Sequence, residues 1–196
     1  MRLISEDSKD IPVFYVKKDK DADLGVRTPK RREQEISELT KNILGEKQPK
    51  EKRYFIGYKL HLIDDAETGL PLTGIVEPAS THDSQPFYQL FDYTVQNFTI
   101  QYDAKFLGDS AFDAATIRQR IRNKNMKDVI AINGRGHYPS ETPKDKDYGK
   151  RWLIEQDNSR LDMIYNLTAH RMKGIKRIVV HAFSCLLANF IEYFMN

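Results

Sequence analysis

A chain of 196 residues, 40% hydrophobic and 30% charged, has the length and composition of one soluble globular domain with a real core. Its net charge of +3, from 31 Lys and Arg against 28 Asp and Glu, does not by itself announce nucleic acid. The single cysteine, Cys185, excludes an internal disulfide and a multi-cysteine zinc site, and makes a reducing cytosol the natural compartment. The opening residues carry no secretory pattern. Arg177, His181, Asn189 and Glu192 interrupt the apolar C-terminal stretch and argue against a membrane span.

Residues 2–7 read as a short strand ending on Asp7. Charge then concentrates: residues 17–53 hold twelve Lys and Arg against eight Asp and Glu, and the remainder of the chain is close to neutral. A basic stretch beside a neutral core suits phosphate contact or a solvated loop. Residues 12–53 are read as a basic insertion or linker, with a helix over 33–44 where Ile36, Leu39, Ile43 and Leu44 recur at helical spacing. Two strands follow, 54–63 and 70–76. The Asp64-Asp65-Ala66-Glu67-Thr68-Gly69 turn between them implies a hairpin. Thr81 to Ser84 offer caps for a helix carrying Phe87, Leu90, Phe91 and Val95. A third major strand over 98–107 ends at Gly108-Asp109. A basic helix at 113–124, a short strand at 129–132 and a glycine loop at 134–136 come next. Helices over 148–168 and 174–195 close the chain. In the last, apolar residues from Ile175 to Phe194 form one stripe, read as core in preference to an oligomer contact. The pattern gives a mixed α/β layer fold.

Three carboxylates stand out. Asp109 follows an apolar strand, where open α/β sheets place ligands in the crevice at the strand's carboxyl end; capping the following helix is its alternative role. Glu155 shares a helix face with Tyr148 and Arg151, three and four residues apart. Arg151 can orient the carboxylate or reach a phosphate, and a plain surface ion pair is the alternative. Trp152, Leu161, Ile164 and Leu167 of the same helix are expected to face the core. Asp7 closes the first strand, with Asp10 as competitor. Hard Mg²⁺ or Mn²⁺ prefers such oxygen ligands, and two such ions can activate a nucleophile and stabilise the leaving oxygen of a phosphodiester. Lys59, His61, Arg118, Arg120, Arg122, Arg135 and His137 are further groups that can approach DNA, each with a solvated or structural alternative.

At these residues the sequence resembles a bacterial insertion-sequence transposase of the DDE type. The motifs are Asp19-Lys-Asp-Ala-Asp-Leu-Gly25, Gly57-Tyr-Lys-Leu-His61, Thr68-Gly-Leu-Pro-Leu72, Pro78-Ala-Ser-Thr-His-Asp-Ser84, Leu107-Gly-Asp-Ser-Ala-Phe112 and Tyr148/Arg151/Glu155, in that order and over most of the chain. The resemblance implies a ribonuclease H-like fold: a mixed sheet with an antiparallel hairpin, flanking helices and a C-terminal helical segment. It implies Asp7, Asp109 and Glu155 as catalytic metal ligands for two Mg²⁺ or Mn²⁺ ions, with Tyr148, Arg151, Lys59 and Arg160 as DNA or supporting contacts. It further implies double-stranded DNA (transposon ends and target) as substrate, a homodimer in the synaptic complex and a cytoplasmic, nucleoid-associated location with no membrane partner. Two departures stand out. Asp162 replaces the usual Lys or Arg seven residues after the Glu. The chain also starts almost on the first strand, so the family's N-terminal DNA-binding region is expected to be missing.

Overall fold

The computed structural model describes residues 1–13, 20–27, 53–134 and 141–195. The helix expected at 33–44, and Arg135 and His137, lie outside the described residues. In chain order the strands are β1 (Leu3–Pro12), β2 (Asp23–Arg27), β3 (Arg53–Asp65), β4 (Leu70–Pro78), β5 (Lys105–Gly108) and β6 (Lys127–Ile130). The helices are α1 (Phe87–Asn97), α2 (Ala115–Arg122), α3 (Trp152–Met163) and α4 (Ile175–Met195), with 3₁₀ turns at Ser110–Phe112 and Tyr148–Arg151.

β3 organises the sheet. One of its edges pairs antiparallel with β1, and its other edge is shared by β2 near the start and β4 further along. β1 then runs parallel to β5, and β5 parallel to β6. An antiparallel hairpin half joined to a parallel half is the mixed sheet of the ribonuclease H-like fold expected above. The hairpin turn is held locally. Asp65 accepts from the Glu67 backbone at 3.0 Å and from the Thr68 hydroxyl at 3.2 Å, and Gly69 takes a left-handed φ of 75°. Gly57 is needed for close approach, because a Cβ there would stand 2.1 Å from the Ile11 carbonyl oxygen.

Side-chain alternation along the strands sends apolar groups to both faces. On one face Ile11, Tyr58, Leu60 and Leu62 pack under Ile154 and Leu161 of α3 and Ile178, Ala182 and Leu186 of α4. On the other, Ile4, Ile63, Phe106 and Ile130 meet Phe87, Leu90 and Phe91 of α1 and Ile117 and Ile121 of α2. Phe87 meets Phe106 edge-to-face at 5.4 Å, and each such buried ring contributes roughly 1.5–3 kcal/mol by transfer from water. The result is three layers, helix–sheet–helix.

Several expectations are corrected. The third strand begins at Lys105, not 98, because Asp103 adopts a left-handed φ of 66° and turns the chain just before it. α1 has Pro86 as N-cap with no side-chain cap, while His82 and Ser84 hydrogen-bond each other at 2.8 Å in the preceding turn. The 148–168 helix divides into a 3₁₀ turn and α3. Its core face is Ile154, Asp157, Asn158 and Leu161, so Trp152 and Ile164 are exposed. β2, inside the stretch read as insertion, joins the sheet. On α4 the apolar stripe is two faces. Ile178, Ala182, Cys185 and Leu186 are buried, whereas Phe183, Leu187, Phe190, Ile191 and Phe194 are exposed. By length and hydropathy alone α4 is also sufficient to cross a bilayer.

One register difference creates the site. β1 pairs with β5 only over Leu3–Ser5, whereas its pairing with β3 continues to Pro12. From Glu6 onward the β5-facing edge of β1 therefore opens into the crevice beyond Gly108, the end of β5.

Candidate metal centre

Asp7 and Asp10 are three residues apart on β1, so they point to opposite faces. Asp7 points to the α3 side, where the Asn158 amide donates to its Oδ2 at 3.2 Å. One turn earlier on α3 stands Glu155. A second tie, the ion pair between Lys9 and Asp162, fastens α3 over the same strand. Asp10 lies across from Lys59 in the β1–β3 register.

The electrostatics of Asp7 report its neighbours. Burial pushes its carboxyl up to about 6; the Arg151 guanidinium and the Ser8 backbone oppose this, while Asp109 and Glu155 add to it as like charges. The two acids expected from the sequence therefore stand within the field of Asp7, although 102 and 148 residues separate them from it along the chain. Asp109 is fixed by a local bond, its Oδ1 accepting from the Ala111 N–H at 2.7 Å at the head of the 3₁₀ turn. Its capping alternative is thus realised, and it sits at the end of β5 as well. Arg151 packs its guanidinium 5.6 Å from the Tyr148 ring centroid and donates to the Tyr148 hydroxyl at 3.4 Å. Tyr148 in turn packs on Leu3, Leu107 and Val129, which anchors the pair to the sheet.

A cleft of about 790 Å³ lies between β1, the start of β3 and α3; Asp7, Lys9, Asp10, Lys59, Asp83 and Glu155 are among its walls, and Asp109 and Arg151 are not. Lys59 is engaged there: it donates to Asp83 at 3.0 Å and to the Thr81 carbonyl at 3.3 Å. Arg160 is elsewhere. It pairs with Glu192 of α4 at 3.2 Å and lines a separate pocket with Asp157 and Asn189. Arg118, Arg120 and Arg122 are tied to Asp113 and Asp128, Asp92, and Asp128 respectively.

Three carboxylates offer a hard-oxygen donor set, and their mutual repulsion is what a divalent cation relieves. The chemistry of the residues fits such an ion. Among the described residues, no three His, Cys, Asp or Glu are gathered tightly enough to hold one as they stand.

A family model for the transposase DDE domain matches residues 7–191. The chain belongs to the DDE transposase family. Neither the curated proteins nor the solved structures give a match. The DDE match begins on Asp7 itself and encloses Asp109 and Glu155. This transposase domain also holds acids that sequence reading passed over. Glu6 and Asp64 are fully buried, their carboxyl oxygens find no partner among the described residues, and burial raises both pKa values well above the carboxylate range. Glu6 was signalled only as a charged residue inside an apolar strand, and Asp64 was read as a turn residue, whereas the structure buries it within β3. Asn158 was legible only as a residue three positions after Glu155.

Proposed function

We propose that this chain is the catalytic core of a DNA transposase that hydrolyses phosphodiester bonds at insertion-sequence ends and joins the 3′-hydroxyl to target DNA. The observation that carries the reading is Asp7 beside α3, where the Asn158 amide donates to it at 3.2 Å one turn from Glu155; burial and the like charges of Asp109 and Glu155 raise its pKa, and Arg151 opposes them. Asp7, Asp109 and Glu155 would hold the metal. When bound, a pair of Mg²⁺ or Mn²⁺ ions supplies activation of the attacking oxygen and stabilisation of the leaving one. Asn158 donates to one Asp7 oxygen and so orients the carboxylate. Arg151, held by Tyr148, offsets the negative field and stands where a phosphate would enter. Lys59 supports that wall of the cleft through Asp83, and Arg160, paired with Glu192, supports α3 from the α4 side. The partners are the transposon ends and target duplex, met in the cytoplasm at the nucleoid, with two copies in the synaptic complex.

The test is strand nicking of end-containing DNA with Mg²⁺. Wild type nicks, and Asp109→Asn reduces the rate ~100-fold or more. Equal rates would sink the assignment. A second reading, a remnant that only binds DNA or a full-length partner, draws support from the wide spacing of the acids. Salt-dependent DNA binding with no metal-dependent cleavage by wild type would favour it.

A further inference from the structure

α4 is apolar on two faces, and among the described residues only one of them is packed into the core. Its inner face, Ile178, Ala182, Cys185 and Leu186, is seated on the sheet. Its outer face presents Val180, Phe183, Leu187, Phe190 and Phe194, between 41% and 67% exposed. Those five positions are spaced three, four, three and four apart, the seam of a heptad repeat. A helix needs no such spacing to pack on its own sheet. Knobs at this interval fit the surface of a second helix.

The exposed area is of interface size. Ile191 flanks the seam and is also exposed, and Phe190 and Phe194 lie together with ring centroids 4.8 Å apart. With half-exposed aromatic rings contributing about 100 Å² each and the aliphatics slightly less, the patch comes to roughly 600 Å². A stable protein interface buries about 800 Å² per partner. Lipid is the poorer occupant. The inner face is fastened to the domain, and the Asn189 amide donates to both oxygens of Asp157 on α3 at 3.0 Å, so lipid could not surround the helix without stripping it off the sheet.

We propose that this seam docks a second copy of the chain, the two α4 helices crossing antiparallel about a twofold axis near Leu187. Leu187 is the middle knob of the five, so the axis makes the contact self-complementary: Val180 meets Phe194 of the partner, and Phe183 meets Phe190. Direction follows from charge. Lys176 and Arg177 are exposed at the start of the helix. A parallel pair would set these cations together. An antiparallel pair places them at opposite ends, each near the carbonyl-rich terminus of the other helix. The contact lies outside the carboxylate cleft and does not depend on its chemistry.

The experiment is sedimentation equilibrium of the 196-residue chain, without DNA or divalent metal. Wild type is expected to form a dimer with micromolar affinity, and Leu187→Glu to weaken it ~30-fold or more. The Leu187→Glu circular dichroism should be unchanged, because that side chain contributes nothing to the core. In a Cys185→Ala background, Leu187→Cys should cross-link between copies under mild oxidation, and Val180→Cys should not. A chain that stays monomeric at about 100 μM overturns the proposal. So does a Leu187→Glu dimer as tight as wild type, cross-linking through Val180→Cys alone, or flotation with phospholipid vesicles in place of self-association.

Discussion

Asp7 carries a cost that the fold accepts. Its pKa is about 6 when folded against an ordinary value of 3.8, so the folded state binds the proton more tightly than the unfolded one. Ionisation therefore destabilises. The penalty is absent below pH about 4, grows between 4 and 6, and is complete above 6. Asp7→Asn removes it. In metal-free buffer at pH 8 the variant should be more stable by on the order of 2 kcal/mol, seen as a raised Tm, and the gain should fade as the pH approaches 4. A Tm at pH 8 equal to or below that of wild type would show that burial and like charges do not strain this residue. The same strain explains why the triad was only partly legible. Asp109 and Glu155 sit in readable local settings, a strand end and a helix face. Asp7 shares its short segment with Glu6 and Asp10, and only strand parity, which requires the register with β3, separates Asp7 from Asp10.

At the scale of elements, period and turn chemistry located the hairpin, the start of β1 and all four helices among the described residues, because each follows from local pattern; β1 itself runs on to Pro12, so Asp7 lies within the strand and does not close it. The details that failed depend on what lies opposite. The phase of α3 is set by Asp157 and Asn158, polar residues that face inward because Asn189 and Asp7 await them. No hydrophobic pattern reports this. α2 makes the same point with charge. Arg118 reads as a phosphate contact, yet it bonds Asp113 and Asp128 and donates to the Ile130 carbonyl at 3.1 Å, clamping α2 to β6. Asp128 is also held by Arg122, and these arginines keep its carboxyl below the usual range despite burial. Arg118→Ala should lower stability by about 2 kcal/mol in urea unfolding, since two carboxylates lose a partner. It should leave the salt dependence of DNA binding unaltered; a slope reduced by about one would instead make Arg118 a phosphate contact.

For the whole molecule, topology does what no segment could. The neighbours of β1 end at different heights: its pairing with β5 stops at Ser5, while its pairing with β3 continues to Pro12. Among the described residues Arg2, Arg118, Arg120, Arg122 and Arg160 are paired with carboxylates of the same chain. The central claim is that Asp7, Asp109 and Glu155 act as one metal site. Mn²⁺ binding, followed by electron paramagnetic resonance on the wild-type chain and single variants, tests it without requiring DNA. Saturable binding should be weakened tenfold or more, about 1.4 kcal/mol, by each of Asp7→Asn, Asp109→Asn and Glu155→Gln, and left intact by Asp10→Asn. Binding that survives in Asp7→Asn but is lost in Asp10→Asn, or that ignores all four substitutions, would contradict the account.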